Sequence, residues 1–198
     1  MGIEVKEVCI VFHSGFGHTA RQAAAVSKGV KSVKGVRGSL ISVLDLEDQN
    51  AGPWEVLDRA DAIIFGCPTY MGAVSAHFKK FMEATSPRWM ELKWAEKLAA
   101  GFTNSGSQNG DKQNTLQSLV SFASQHGMLW VSLNLAPGNN SSGGSVDDIN
   151  RLGAYLGAMS QSNVDEGPDT APPEADLETA RLLGKRVAEC THRWDRGA

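Results

Sequence analysis

The sequence predicts an α/β fold in which a doubly wound, five-stranded parallel sheet carries helices on both faces. Short apolar runs rich in β-branched residues alternate along the chain with longer segments whose apolar residues recur at helical spacing. The connections between these segments are short, as they are in sheets built from repeated strand–helix units. Because such units cross over in the right-handed sense, their helices cover both faces of the sheet.

Five apolar runs are the predicted strands, because continuous apolar runs are typical of strands buried on both faces. They span residues 8–12, 40–44, 62–66, 97–103 and 128–133. The first predicted helix begins near residue 18. The other three span residues 72–84, 113–124 and 177–190. Residues 136–173 interrupt the alternation with many Gly, Asn, Ser and Pro residues. We expect a long late loop there, with residues 158–162 as the second piece of a split fifth strand.

Length, charge and cysteine content exclude several classes of protein. The 198 residues predict a single domain over residues 1–198. A net charge of −3 argues against nonspecific binding to nucleic acids or acidic membranes. No apolar run approaches the length that spans a bilayer. The three cysteines are odd in number and widely spaced, which indicates neither a disulfide framework nor a zinc site and favours a reducing cytoplasm.

Glycine is the compositional outlier, at 21 of 198 residues, and several glycines follow predicted strands. Ligands of such sheets bind at the carboxyl ends of the strands. The first loop, residues 13–20, combines two glycines with the hydroxyls of Ser14 and Thr19 at the start of a helix. Free amides and the positive end of the helix dipole suit this loop to a phosphate.

Two other interpretations of the first loop stay open. Residues 15–20 match the G-x-G-x-x-A fingerprint of dinucleotide-binding folds, and Asp45 lies where a ribose-binding acid would be expected. A tight turn without any ligand is the other interpretation. The P-loop pattern of nucleoside triphosphatases is not present in the sequence.

Two more small, glycine-rich loops follow the next central strands of the predicted sheet. The second loop, residues 66–72, carries Tyr70, and the third loop, residues 103–110, is small and polar. Either could be an ordinary turn, but three such loops at successive strand ends outline one cleft. Such a cleft would hold a phosphate at the first loop and a planar heterocycle between the second and third loops. This arrangement is typical of an FMN site. We expect glycines of the late loop to roof the same cleft.

At these residues the sequence resembles the flavodoxin-like NAD(P)H:quinone oxidoreductases of the WrbA type. The segments that carry the resemblance are 63–72, 85–89, 102–106, 125–128 and 153–158. The resemblance implies a flavodoxin-like fold and a cytoplasmic FMN enzyme that reduces quinones or similar acceptors with NADH or NADPH. It also implies a homo-dimer or homo-tetramer, with no nucleic-acid partner and no membrane insertion.

The resemblance also implies which residues form the site. Those at the FMN phosphate would be Ser14, Phe16, Gly17, His18 and Thr19. Those on one side of the isoalloxazine ring would be Pro68, Thr69, Tyr70, Met71 and Gly72. Those at its other edge would be Ser105, Gly106, Ser107 and Gly110. His126 resembles a catalytic histidine near the flavin, with a structural role at the last strand as the alternative, and Trp89 resembles an aromatic wall of an active site shared between subunits.

Two other functions compete with this interpretation. A flavodoxin-type carrier would bind FMN and pass electrons to protein partners without turning over substrates itself. Such carriers are usually strongly acidic, and a net charge of −3 is weak support for that role. A dinucleotide-binding enzyme without flavin is the third candidate. Uptake of FMN and oxidation of NAD(P)H would separate the three.

Overall fold

One sheet of seven strands and six α-helices are found in residues 5–194, the part of the chain that the computed structural model describes. The first four and last four residues of the predicted domain lie outside this range. The strands are β1 (Lys6–Phe12), β2 (Val36–Ser42), β3 (Ala62–Tyr70), β4 (Ala73–Val74), β5 (Leu98–Ser105), β6 (Leu129–Trp130) and β7 (Ala158–Gln161). The helices are α1 (His18–Lys31), α2 (Trp54–Arg59), α3 (Ala76–Ala84), α4 (Ser86–Met90), α5 (Lys112–Gln125) and α6 (Glu174–Arg193).

The order β2-β1-β3-β5-β6 runs across the sheet, and every neighbouring pair in it is parallel. Alternate residues of β1 face opposite layers. Val8 and Ile10 pack with α1 and α6, whereas Cys9 and Val11 pack with α2, α3 and α5. Helices therefore cover both faces, and the predicted α/β class with a doubly wound sheet is confirmed. No helix within residues 5–194 is both long and apolar enough to cross a membrane.

Several predicted element boundaries were wrong, three of them next to β2 and β3. The second strand is Val36–Ser42 rather than 40–44, because Val43–Leu46 forms a short 3-10 helix capped by the Ser42 hydroxyl. β2 is an edge strand, so its residues do not form one continuous apolar run. The third strand continues to Tyr70 and turns through Met71 and Gly72, both with positive φ, into the antiparallel strand β4. This hairpin delays the start of α3 to residue 76.

Two segments share the last position of the sheet. The strand predicted at 128–133 pairs with β5 only through Leu129 and Trp130, opposite Leu98 and Ala99. The chain then leaves the sheet. β7 returns after the late loop and pairs in parallel with Phe102–Ser105, the carboxyl-terminal half of β5. The late segment therefore enters the sheet at the edge where ligands bind in such folds.

Two glycines allow α1 and α6 to cross at close range. A Cβ added at Gly29 of α1 would overlap the carbonyl oxygen of Arg181. A Cβ added at Gly184 of α6 would overlap the carbonyl oxygen of Val26. Because both obstacles are backbone atoms, neither helix can relieve the clash by rotating a side chain. The pair fixes how α6 lies over the sheet.

Candidate functional site

The carboxyl ends of the central strands border a cavity of about 570 Å³, within the range of small-molecule sites. All three predicted loops and the segment after β7 contribute to it. The lining residues are Phe16, His18, Thr19, Pro68, Thr69, Tyr70, Asn104, Ser105, Gly106, Ser162, Val164, Glu166 and Gly167. Eight of the fourteen residues predicted to bind the cofactor are among them. The three loops therefore meet at one cleft.

The side chain of Ser14 stabilises the conformation of the first loop. Its Oγ accepts hydrogen bonds from the amides of Gly17 and Ala20, both at 3.1 Å. Gly17 has φ 91° and precedes α1, whose first intrahelical bond runs from the Arg21 amide to the Gly17 carbonyl. Helix geometry leaves the earlier amides, those of His18 and Thr19, without intrahelical partners. These amides and the helix dipole form an anion site at the end of the cavity.

Residues 161–168, which we call the strap, cross the cleft from the third loop to the first. At one end the side-chain amide of Gln161 donates to the Gly106 carbonyl at 2.9 Å. At the other end Arg21 donates to the Pro168 carbonyl at 3.0 Å, and His18 bonds to the Glu166 carbonyl at 2.8 Å. The strap thus roofs the cavity, but no pattern in the sequence indicates which of its side chains do so.

The second loop places an aromatic ring against the first. The Tyr70 ring meets Phe16 edge to face, with centroids 6.3 Å apart, and its hydroxyl lies so close to Gly15 that a Cβ added there would overlap it. Burial raises the Tyr70 pKa. The Thr69 hydroxyl is engaged inside the protein by the hydroxyls of Thr103 and Thr115, both at 2.8 Å. A ligand can therefore use the surface of this loop, but the Thr69 hydroxyl is already committed.

Several predicted contacts lie beside the cavity rather than on it. Met71 is fully exposed at the tip of the β3–β4 hairpin, and Gly72 follows it in the same turn. Ser107 is exposed, and Gly110 packs against the back of Ser105. Ser14 and Gly17 shape the first loop without lining the cavity. The resemblance located the loops but not the direction in which each residue points.

The third loop is built around Lys112, a residue that sequence reasoning missed. Lys112 is completely buried, and its ammonium group donates to Ser105 Oγ, Ser107 O and Gln108 O at 2.7, 2.9 and 2.7 Å. The Ser105 hydroxyl in turn donates to Ser107 O at 2.8 Å. Burial lowers the Lys112 pKa to about 8. The sequence signal was a lysine in the first turn of a helix, where the helix dipole disfavours a cation.

His126 does not line the cleft of its own chain, whereas the resemblance implies a place near the flavin. α5 begins at the third loop, and His126 follows its last residue. The 14 residues of the helix span about 20 Å, so His126 lies about that far from the third loop. There Thr85 Oγ1 donates to the Met82 carbonyl and so accepts from His126 Nε2, at 2.9 Å. Trp94 lies against the imidazole with ring centroids 4.7 Å apart. Burial lowers the His126 pKa to about 4, so the ring is neutral at pH 7.

Two of the cysteines behave as core thiols, as the sequence predicts. Cys9 and Cys67 are completely buried, and burial raises the pKa of each to about 12. Thiols with such pKa values are not nucleophiles at neutral pH. Cys190 is half-buried on α6, and none of the three forms a disulfide.

The shape of the cleft fits FMN at both ends. Gly17 has a positive φ, and its missing side chain gives Pro168 room beside the start of α1. A Cβ at Gly106 would meet Val164 of the strap, so the third loop and the roof approach closely there. Between these ends the cavity offers aromatic and small polar surface from Tyr70, Asn104 and Ser162. This combination suits a flat ring that carries a phosphate tail.

Comparison with known proteins decides the family. The family model described as NADPH-dependent FMN reductase matches residues 21–139. The chain belongs to this FMN reductase family. It is also 32% identical over 200 residues to an NAD(P)H dehydrogenase (quinone) of Archaeoglobus fulgidus, covering 92% of this chain and 95% of that one.

Two further relatives of this FMN reductase family member carry the name flavodoxin. Flavodoxin FldP of Pseudomonas aeruginosa is 45% identical over 184 residues, covering 93% of this chain and 96% of its own. The crystal structure of a flavodoxin, WrbA-like protein from Agrobacterium tumefaciens superposes with a TM-score of 0.73 at 42% identity, covering 95% and 98% of the two chains. The resemblance to WrbA-type proteins and the flavodoxin-like fold are confirmed.

Proposed function

We propose that the protein is an FMN-dependent oxidoreductase that transfers two electrons from NADH or NADPH to quinones. The observation that carries the proposal is the cavity itself. An anion site at the start of α1 opens into a chamber bounded by Tyr70 and the third loop. The FMN reductase family and the quinone dehydrogenases among the relatives support this assignment.

Each part of the cleft has a separate task in this proposal. The amides of His18 and Thr19, in the loop that Ser14 stabilises, bind the phosphate. Tyr70 and the backbone beside Gly106 hold the ring, while the strap excludes water from it. Bound FMN supplies the hydride-accepting chemistry, and the protein orients and tunes it. The net reaction converts NAD(P)H, one proton and a quinone into NAD(P)⁺ and a hydroquinone.

An electron carrier is the second candidate, because the 45% identical relative is named a flavodoxin. A carrier needs the same FMN cleft, so the geometry described above serves both functions. The two differ in turnover. A carrier would hold FMN and exchange electrons with proteins but would oxidise NAD(P)H slowly with a benzoquinone.

We also propose that the chain forms a homo-dimer or homo-tetramer. Trp89 is 51% exposed on α4, with exposed Met90 and Leu92 beside it. Trp89 and His126 line one small cavity, which the length of α5 separates from the cleft. Either residue can therefore meet FMN only in the cleft of a second copy, as the resemblance implies for Trp89. Size-exclusion chromatography with light scattering tests this, and a monomer at micromolar concentration would contradict it.

The function is tested by adding FMN to the full chain and recording the visible spectrum, then following NADH and NADPH oxidation with a benzoquinone. Ser14→Ala should weaken FMN binding, since it removes the acceptor for two loop amides. Ser121→Ala, at an exposed position of α5, is the matched control. Protein that takes up no FMN would overturn the proposal. FMN uptake without NAD(P)H turnover would instead support the carrier.

A further inference from the structure

Lys112 is a buried cation whose hydrogen bonds all go to the third loop. An ammonium group has three N–H donors, and Ser105, Ser107 and Gln108 accept all three. Two of these acceptors are peptide carbonyls. Because C=O and N–H point in opposite directions across a trans peptide, the amides of Gln108 and Asn109 point away from the lysine. Lys112 therefore fixes the peptide orientation of the loop as well as its position.

Among the residues that the structure describes, no carboxylate lies in contact with Lys112 to neutralise its positive charge. The charges of Asp176 in α6 and Arg151 in the late loop act on it, the first raising and the second lowering the Lys112 pKa. Asp176 already forms a bidentate ion pair with Arg151. Within residues 5–194, the cluster of Lys112, Arg151 and Asp176 thus contains two cations and one anion. Burying such a charge carries a desolvation cost that an apolar side chain of similar length would avoid.

The charge lies directly behind the wall of the cavity. Ser105 lines the cavity, and its Oγ lies 2.7 Å from the Lys112 ammonium. Ser105 therefore connects the lysine to the wall of the space proposed for the ring. Water does not reach the lysine, whose side chain is completely buried. Electrostatic interactions are stronger in such surroundings than in water.

We propose that Lys112 is a positioning residue that orders the third loop and, through its charge, makes the protein bind reduced FMN more tightly than it otherwise would. The inference rests on the proposed function, because it requires FMN in the cleft. When the ring takes up two electrons and one proton, it gains one negative charge relative to its oxidised form. A cation behind the third loop favours that form and raises the two-electron midpoint potential.

Linkage gives a test on the unmodified protein. If Lys112 favours reduced FMN tenfold, reduction must raise the Lys112 pKa by about one, because the coupling is reciprocal. NMR titration of ¹³C-labelled lysine side chains would follow Lys112 in the oxidised and dithionite-reduced holoprotein. A Lys112 pKa that is the same in both forms would overturn the inference. This measurement needs no variant and so cannot be confused with misfolding.

Variants separate charge from packing. Lys112→Met removes the charge at similar length, Lys112→Arg retains it, and Lys28→Met removes an exposed lysine of α1 as the control. We expect a tenfold loss of preference for reduced FMN in Lys112→Met, which lowers the midpoint potential by about 30 mV. Lys112→Arg and Lys28→Met should stay near the parent value. Equal shifts in the Met and Arg variants, or none in either, would overturn the inference.

Different experimental results would contradict the proposed function and the role of Lys112. A parent protein that takes up no FMN would overturn the proposed function and this inference with it. A parent protein that binds FMN, together with a Lys112→Met variant of unchanged potential, would overturn the inference alone.

Discussion

The guanidinium group of Arg151 donates to both carboxylate oxygens of Asp176, at 2.8 and 2.9 Å, where solvent hardly reaches either side chain. The same carboxylate accepts the backbone amide of Gln161 at 2.9 Å. One buried group therefore ties the late loop to α6 and to the last residue of β7. Since the strap starts at Gln161, this ion pair anchors the roof of the cleft to the core.

Removing one member of this pair should destabilise the fold strongly. Asp176→Ala leaves the Arg151 guanidinium buried without its partner, and we expect the free energy of unfolding to fall by about 3–5 kcal/mol. Urea denaturation followed by circular dichroism measures this. Glu55→Ala, which breaks an exposed pair with Arg59, is the control and should cost less than about 1 kcal/mol. Equal costs for the two variants would contradict the prediction.

His126 should make stability depend on pH. Its pKa falls from 6.5 to about 4 in the folded protein because burial disfavours the charged ring. Below pH 6.5 the unfolded chain therefore binds more protons than the folded one, and stability falls as the pH is lowered. The full loss is about 3 kcal/mol and is complete only below pH 4.

The contribution of His126 can be isolated by comparing the parent with His126→Gln. Burial and the neighbouring His77 also lower the pKa of His13, which adds a loss in the same direction. The difference in unfolding free energy between parent and variant should change with pH between 4 and 6.5 and be constant above it. A difference that stays constant across the whole range would show that His126 titrates normally.

The sequence predicted the parts of the cleft that depend on neighbouring residues and missed those that depend on distant ones. The first loop could be recognised because Ser14, Gly17 and the start of α1 are local to one another. The bond from Arg21 to the Pro168 carbonyl joins residues 147 positions apart, and no local pattern encodes it. The orientation of Ser105 depends likewise on Lys112, whose burial is decided by the packing of α5 against β5 rather than by its own sequence neighbourhood.

Gly184→Ala distinguishes helix propensity from packing. Propensity alone predicts that alanine stabilises the middle of α6 by about 1 kcal/mol. The structure predicts the opposite, because the new Cβ would overlap the Val26 carbonyl of α1. We expect a net loss of about 1–3 kcal/mol in unfolding free energy, as in other overpacked sites.

Denaturation of Gly184→Ala should be compared with that of Gly143→Ala, a variant at a loop position where an added Cβ meets no atom within 4 Å. The loop variant should stay within about 0.5 kcal/mol of the parent. A stabilised Gly184→Ala protein would mean that α1 and α6 do not cross as closely as the structure places them.

Gly17→Ala should weaken FMN binding while leaving the core intact. Gly17 has φ 91°, a conformation that costs alanine about 1–2 kcal/mol, and the added Cβ would press against Pro168 of the strap. Both effects displace the amides that form the anion site, so we expect FMN affinity to fall at least tenfold. Quenching of FMN fluorescence measures the affinity, with Gly143→Ala as control. An unchanged affinity in a variant with the parent's circular dichroism spectrum would mean that the phosphate is held elsewhere.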